Sequence, residues 1–412
     1  MRKGVFVLLL TLHVMVCSAV EKSRSIREFG VLPENTAATN AKNLQKAIDW
    51  ATEYGAALIV EPSDEPYPID GGIILKKNVS LVGVHGPTPR GTVHPSKKQP
   101  VGSVFKITDE KNVFITVETA TQIRGIQFWY PNQTIRDPNA IIPYPATIQT
   151  SKTSSTQGVN LANLTFYGEY LAMDFNADRD KISELMLIEH CYGYPLSGEF
   201  IRINYCYDIP RILHCHVNPA IQRFIGGQYS PAVVDAVIAK KTFAFTINNT
   251  DNAQLMDLFT FGTYGGIMLG GDSYGQLTNF NLDCVAVGIH KKGNNTFNRN
   301  WQIAQGSIIA NAGEPVENIH PIIIEGEGHT SLSNVEAFSG GNPALTTVPE
   351  NSSWNFLEVR GDKKLTVTIF GSRMRNYISD EPITVKNKNA VIQAVACVDK
   401  DERLFNFTRQ RE

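Results

Sequence analysis

The chain has little charge and no excess of either sign. Lysine and arginine number 38 against 40 aspartate and glutamate, charged residues are only 19% of the total, and no long run of one sign occurs. No stripe therefore suits a nucleic-acid backbone, and nucleic acid is excluded as a partner. Cys-x-x-Cys is absent, and His214-Cys215-His216 has no second ligand pair beside it, so no metal site is expected. Neither dinucleotide nor P-loop glycine motifs occur at a strand-to-helix junction, so no nucleotide cofactor is expected. Beyond the N-terminus no apolar run approaches the roughly 20 residues of a transmembrane segment. Asn-Gly and Asp-Gly turns are sparse, Asp70-Gly71 being one. An array of antiparallel hairpins would carry more of them.

What is present begins with an export signal. Arg2 and Lys3 precede the apolar stretch Val5 to Val16, and Cys17-Ser18-Ala19 offers small residues for cleavage after Ala19. Residues 1–19 are read as a signal peptide, with a lipid anchor on Cys17 as the less favoured alternative because Val16 before it is bulky. Without Arg2 and Lys3 the cations fall to 36 against 40 anions, a charge of −4. The product is expected to be secreted, periplasmic or at the cell surface. Five cysteines remain (Cys191, Cys206, Cys215, Cys284, Cys397); an odd number cannot pair completely within one chain, and they read as buried free thiols.

With 42% hydrophobic residues the chain can bury a large core, and 32 glycines with 9% aromatics suggest many short strands joined by turns. One helix is expected at about 40–54, where Leu44, Ala47, Ile48, Ala51 and Tyr54 recur at helical spacing, Thr39 or Asn40 can cap the start and Gly55 can end it. From about residue 123 a loose repeat appears. Asn163-Leu164-Thr165-Phe166 compares with Leu187-Ile188-Glu189-His190 and with Ile212-Leu213-His214-Cys215, and Gly266-Ile267-Met268-Leu269 with Gly288-Ile289-His290-Lys291. Phe166 to Glu189 is 23 residues and Cys191 to Cys215 is 24, so the period lies in the low twenties. A strand-and-turn repeat of that length, without helices and without the leucine-rich consensus, predicts an all-β, single-stranded right-handed parallel β-helix. It forms one domain over residues 20–412, with coils at about 57–398.

Phe29-Gly30-Val31, the Ala47-Ile48 helix, Val60-Glu61-Pro62, Tyr67-Pro68-Ile69 and Val79-Ser80-Leu81-Val82-Gly83 together resemble the opening of the pectate lyase superfamily domain, also called rhamnogalacturonase or epimerase-like. The match covers about residues 27–86. It departs from the family at Leu32-Pro33-Glu34-Asn35-Thr36, where such domains often carry Asp-Gly followed by Asp-Asp-Thr. The resemblance implies a pectin lyase-like β-helix whose first helix covers one open end, and an extended polysaccharide as partner. The polar tail from Asp399 is expected to shield the other end.

In such a coil the outward face of one sheet forms a long groove walled by inserted loops. Insertions are expected at 130–150 and 219–248, where the repeat stretches. Trp129, Tyr130 and Gln133 are candidate substrate contacts, since rings stack on sugar faces and amides bond hydroxyls; the plainer reading is a packed loop. Tyr192 and Tyr205 join them from the dense polar segment Asp174 to His216. Glycoside hydrolysis needs two carboxyl groups in different protonation states. The candidate catalytic residues are Asp174, Glu189, Arg202, His214, Asp272 and Asp283, with Glu189 and Asp174 converging on Arg202 and His214, and Asp272 with Asp283 as a second pair. Solvated turn acids and structural histidines are the plainer readings. Hydrolysis is favoured slightly over β-elimination, which would draw on Lys240, Lys241, Arg202, Tyr205 or Tyr207 as base and on calcium as cofactor; hydrolysis needs none. A non-catalytic glycan-binding or adhesin module is the remaining alternative. Asp-Asp and Gly-His-Gly, by which polygalacturonases are recognised, are absent, and Gly328-His329-Thr330 is a poor substitute. Sequons begin at Asn78, Asn132, Asn163, Asn248, Asn294, Asn351 and Asn406. No oligomeric state follows from these features.

Overall fold

The computed structural model describes residues 23–84, 96–293, 300–310, 319–338, 355–375 and 381–411. The expected signal peptide and the sequons at Asn294 and Asn351 lie outside them. Apart from two α-helices and three short 3-10 turns, the described elements are strands. They stack as a coil, in a 23-stranded sheet that supplies two faces and a 13-stranded sheet that supplies the third. The pairings are parallel except where Leu404–Arg409 runs antiparallel to Ala390–Val398 and at two isolated bridges. Parallel crossovers are right-handed, so the chain is a right-handed parallel β-helix.

Local alternation builds the core. On the 13-stranded sheet Ile148, Met173, Ile201, Phe245, Ile267 and Ile289 pair in register from strand to strand, and none exposes measurable surface. On the first face of the larger sheet Leu81, Ile123, Leu161, Ile188, Ile212 and Leu255 pair likewise and are all buried. Side chains alternate across a strand. Each coil thus lays its aliphatic residues on those of the next, worth about 1.5–3 kcal/mol per fully buried side chain.

Between the two faces of the larger sheet the chain turns on one residue. Asn163, His190, His214, Asp257 and Asn279 all hold φ between 52° and 54°. The corner amides donate to the following coil, as from His190 to the Leu213 carbonyl at 3.0 Å and from His214 to the Met256 carbonyl at 2.9 Å. Asn, Asp and His tolerate this left-handed conformation better than most residues. This corrects the repeat alignment. Leu161, Ile188 and Ile212 are equivalent, whereas Phe166 belongs to the second face and does not match Glu189.

The capping helix spans Ala37–Tyr54, three residues longer at its start than the sequence suggested. Thr36 is the N-cap, accepting from the Thr39 amide at 3.2 Å. Asn40 lies inside the helix, buried, and bonds the backbone of Leu32 and Pro68. Leu44, Ala47, Ile48 and Ala51 face the first coil, and Gln45 bonds both backbone groups of Ile74 on the terminal strand of the 13-stranded sheet. The helix thereby covers the apolar cross-section and satisfies part of an open edge. At the other end Phe405 and Phe407 pack on the core from the antiparallel strand. A second helix, Pro231–Ile238, sits in the later insertion, where only strand and turn were expected. Cys191, Cys206, Cys215, Cys284 and Cys397 are buried free thiols, and no helix among the described residues is long and apolar enough to cross a membrane.

Candidate active site

Between the inward residues of the 13-stranded sheet lies an outward column. Gln149, Asp174, Arg202, Thr246, Met268 and His290 follow one another in register. The strands Met173–Asn176 and Ile201–Tyr207 place Asp174 and Arg202 side by side because both alternate apolar and polar residues from the same phase. Beyond them the column runs through Thr246 and Met268, the latter packed on Phe243, Val287 and Ile323, to His290, whose Nε2 lies 3.0 Å from Glu325 Oε1. Three strand steps from Arg202 to His290 span roughly 14 Å at about 4.8 Å each.

Insertions raise a wall beside this floor. One leaves the second face after Tyr130 and the other after Val217; the Ser230 amide donates to the Ile135 carbonyl at 2.8 Å and the Ser230 hydroxyl to the Arg136 carbonyl at 2.9 Å, locking them together. Floor and wall enclose a cleft of about 410 Å³ in which Gln149, Asp174, Glu199 and Arg202 meet Tyr144, Tyr170 and Lys240. The Lys240 ammonium sits 5.5 Å from the centre of the Tyr170 ring.

Arg202 joins two carboxyl groups. Its Nε and Nη2 donate to both oxygens of Asp174 at 3.0 and 2.9 Å, and its Nη1 reaches Glu199 Oε2 at 3.4 Å. The two acids respond in opposite directions. Burial pushes the Asp174 carboxyl up, but the Arg202 fork, the charges of Arg202 and Lys152 and the Asn176 amide together hold it below the usual carboxylate range. Burial also pushes Glu199 up, and the negative charge of Asp174 adds to it; Arg202 offsets only part, so Glu199 stays above its ordinary value. Arg202 itself is raised, first by its hydrogen bonds to Asp174. The cleft thus holds an ionised carboxylate and a carboxyl group that keeps its proton longer, bridged by a fixed cation.

One further acid is buried in the wall. Glu169 has no exposed surface, and no hydrogen-bond donor among the described residues meets either carboxyl oxygen in good geometry. Burial pushes it well above the carboxylate range, while the amides of Glu169 and Tyr194 pull weakly the other way.

The remaining sequence candidates fall elsewhere. Glu189 ends a strand on the first face of the larger sheet, and His214 is the next coil's corner residue, its Nδ1 2.8 Å from Asp257 Oδ2 and its ring stacked on His190 at 4.7 Å. Neither converges with Asp174 and Arg202: the repeat placed them one coil apart, but on another sheet. Asp283 lies on the second face opposite Phe261, and Asp272 in the turn after Gly265–Gly270, its amide bonded to Asn249, so these two do not form a pair. Burial raises Asp283. Tyr130 is buried, its hydroxyl 2.7 Å from Thr147 Oγ1, and Gln133 uses both ends of its amide on Ile142, so both brace the wall. Tyr192 is buried and stacks on His216 at 4.6 Å, and Tyr205 occupies a left-handed position within the strand Ile201–Tyr207 and does not line the Arg202 cleft. Burial leaves the Tyr192 ring no face for a sugar. Trp129 is half-buried but lines a different cleft. Sequence reading missed Glu199, Gln149 and Tyr170; the parallel phase of Met173-Asp174-Phe175-Asn176 and Ile201-Arg202-Ile203-Asn204 was the signal that marked this floor.

No family model matches the chain, and no curated protein matches it. Among solved structures it is similar to the ORF18 protein of Geobacillus virus E2, with a TM-score of 0.44 and 12% identity over 94% of this chain and 63% of that one. The full-length tailspike protein 2 of Escherichia coli O157:H7 bacteriophage CAB120 gives a TM-score of 0.53 and 12% identity over 89% of this chain and 46% of that one. The A-module of the Azotobacter vinelandii mannuronan C-5 epimerase AlgE6 gives 0.47 and 11% over 91% and 98%. The chain spans less than two thirds of each viral protein. The likeness to the tailspike shows the fold: a parallel β-helix.

Proposed function

We propose that the chain is an exported enzyme that hydrolyses an extended, pectin-like polysaccharide in the cleft between Asp174 and Lys240. The observation that carries this reading is the divided pair of acids on one guanidinium. Hydrolysis of a glycosidic bond needs one carboxyl group to give a proton to the leaving oxygen and one carboxylate to act as base or nucleophile. Glu199, raised above its ordinary value chiefly by burial, is the acid, and Asp174, lowered by Arg202, is the carboxylate. Tyr144 and Tyr170 offer ring surface to the sugar, with Gln149 and Lys240 for its oxygens. For elimination, an Arg202 raised by Asp174 is a poor base, which leaves Lys240 as the base this cleft offers. No cofactor enters the proposal.

The test is incubation of the secreted protein with pectins, galacturonans and other glycans. New reducing ends without the ultraviolet absorbance of an unsaturated product are expected, and both Glu199→Gln and Asp174→Asn should lower turnover by orders of magnitude. An unsaturated product would identify elimination instead. Binding without products would identify a glycan-binding module.

A further inference from the structure

A second cleft, of about 290 Å³, lies on another face and shares no residue with the first. It forms where the N-terminal segment meets the first coils. Its sides are Pro33, Pro66 and Pro68, and its polar groups come from Glu34, Glu65, Gln99 and Lys106, with Trp129 beside them.

Trp129 reaches this cleft because of strand alternation. Phe128 before it points inward and stacks on Phe166 at 5.0 Å, so Trp129 points outward on the second face, in register with Lys106. The Lys106 ammonium lies 5.8 Å from the centre of its ring and has no carboxylate partner among the described residues. Gln99 is positioned by bonds from its Nε2 to the Asp64 carbonyl at 2.9 Å and to Glu65 at 3.1 Å, which leaves its carbonyl oxygen as an acceptor. Proline walls with fixed φ make the cleft rigid before any ligand arrives, and a preformed site loses little entropy on binding.

We infer that this cleft is a second glycan-binding site, which anchors the polymer away from the site of cleavage. The apolar indole matches the C–H face of a sugar ring, and the Lys106 ammonium, the Glu34 carboxylate and the Gln99 amide oxygen match its hydroxyls. A volume near 300 Å³ is at the small end of ligand sites, enough for one or two sugar rings rather than a peptide chain. The inference rests on the glycan reading of the first cleft but assigns it a separate, non-catalytic partner site.

The test uses the full secreted chain and the polysaccharide on which wild type shows turnover. Affinity electrophoresis reports binding, ligand-dependent tryptophan fluorescence reports the site, and turnover of a short soluble oligosaccharide reports the first cleft. Trp129→Ala should weaken retardation by polymer roughly tenfold, the factor given by about 1.4 kcal/mol of lost contact, while oligosaccharide turnover stays at the wild-type rate. Trp129→Phe, which keeps the packing on the strand, should abolish the fluorescence change, and Lys106→Gln should weaken retardation without altering the melting curve. Glu199→Gln should bind polymer as wild type does and lose turnover. Unchanged retardation and fluorescence in all three cleft variants would overturn the second site and leave the first intact. If wild type neither binds nor cleaves any glycan, both readings fall together.

Discussion

Replacing Glu169 by glutamine isolates the energetic consequence of a fully buried acid. The carboxyl group has no exposed surface and stays protonated well above its ordinary value of 4.5 because burial penalises the charged form. The unfolded chain exposes the same group to water, where it ionises near 4.5. Above that pH the folded state therefore binds more protons than the unfolded one. The stability Glu169 contributes is complete below the unfolded pKa and is lost as pH rises towards the folded pKa. One proton is involved, so the slope is about 1.4 kcal/mol per pH unit. Glutamine is nearly isosteric and does not titrate. Its unpaired N–H groups impose a cost that is the same at every pH. Urea unfolding of both proteins at pH 4, 5, 6 and 7 should show the stability of the variant minus that of wild type rising by about 1.4 kcal/mol per unit above pH 4.5. The curve should level off at the folded pKa of Glu169. A difference that stays constant from pH 4 to pH 7 would refute the argument, since it would mean that Glu169 ionises alike in both states.

Gly193→Ala should destabilise by about 1–3 kcal/mol, as overpacking does, because an added Cβ would clash with Glu169 Oε1 and stand 2.7 Å from the Phe200 ring; thermal melting reads this directly. Lys291→Met should cost about 2–4 kcal/mol, on the order of 1–3 per buried acceptor left unpaired with partial relaxation, because the buried ammonium serves the carbonyls of Gly293, Glu325 and Glu327 at 2.6, 3.3 and 2.6 Å. Denaturant midpoints check it, and an unchanged midpoint would show that those carbonyls find other donors. Glu189→Gln and Asp283→Asn should leave glycan turnover within about twofold of wild type, an effect worth less than about 0.5 kcal/mol, because neither side chain reaches the Arg202 cleft; a loss of orders of magnitude would move the site.

The sequence by itself determined the repeat, the capping helix, the free thiols and the two insertions, because each depends on local pattern. Alternation of apolar and polar residues fixes which side chains face the core of a coil, and a run such as Ile201-Arg202-Ile203-Asn204 declares its faces without reference to any other strand. Helical spacing likewise marks Leu44, Ala47, Ile48 and Ala51 as one buried stripe. Asp174 and Arg202 were legible as candidates for the same reason. Their partners were not. Asp174 meets Arg202 across 28 residues, whereas His214 meets Asp257 across 43, so insertions of unequal length decide which positions share a face, and a period in the low twenties cannot supply them. That is why Glu189 and His214 matched in the repeat yet stand on another sheet. Trp129 and Tyr130, adjacent in the chain, divide between two environments because one residue along a strand reverses the side chain. Only the tertiary structure seated Glu199 on the guanidinium that already held Asp174 and so split the two acids, since burial and neighbouring charge arise from the stacking of coils and not from the order of residues in any one of them.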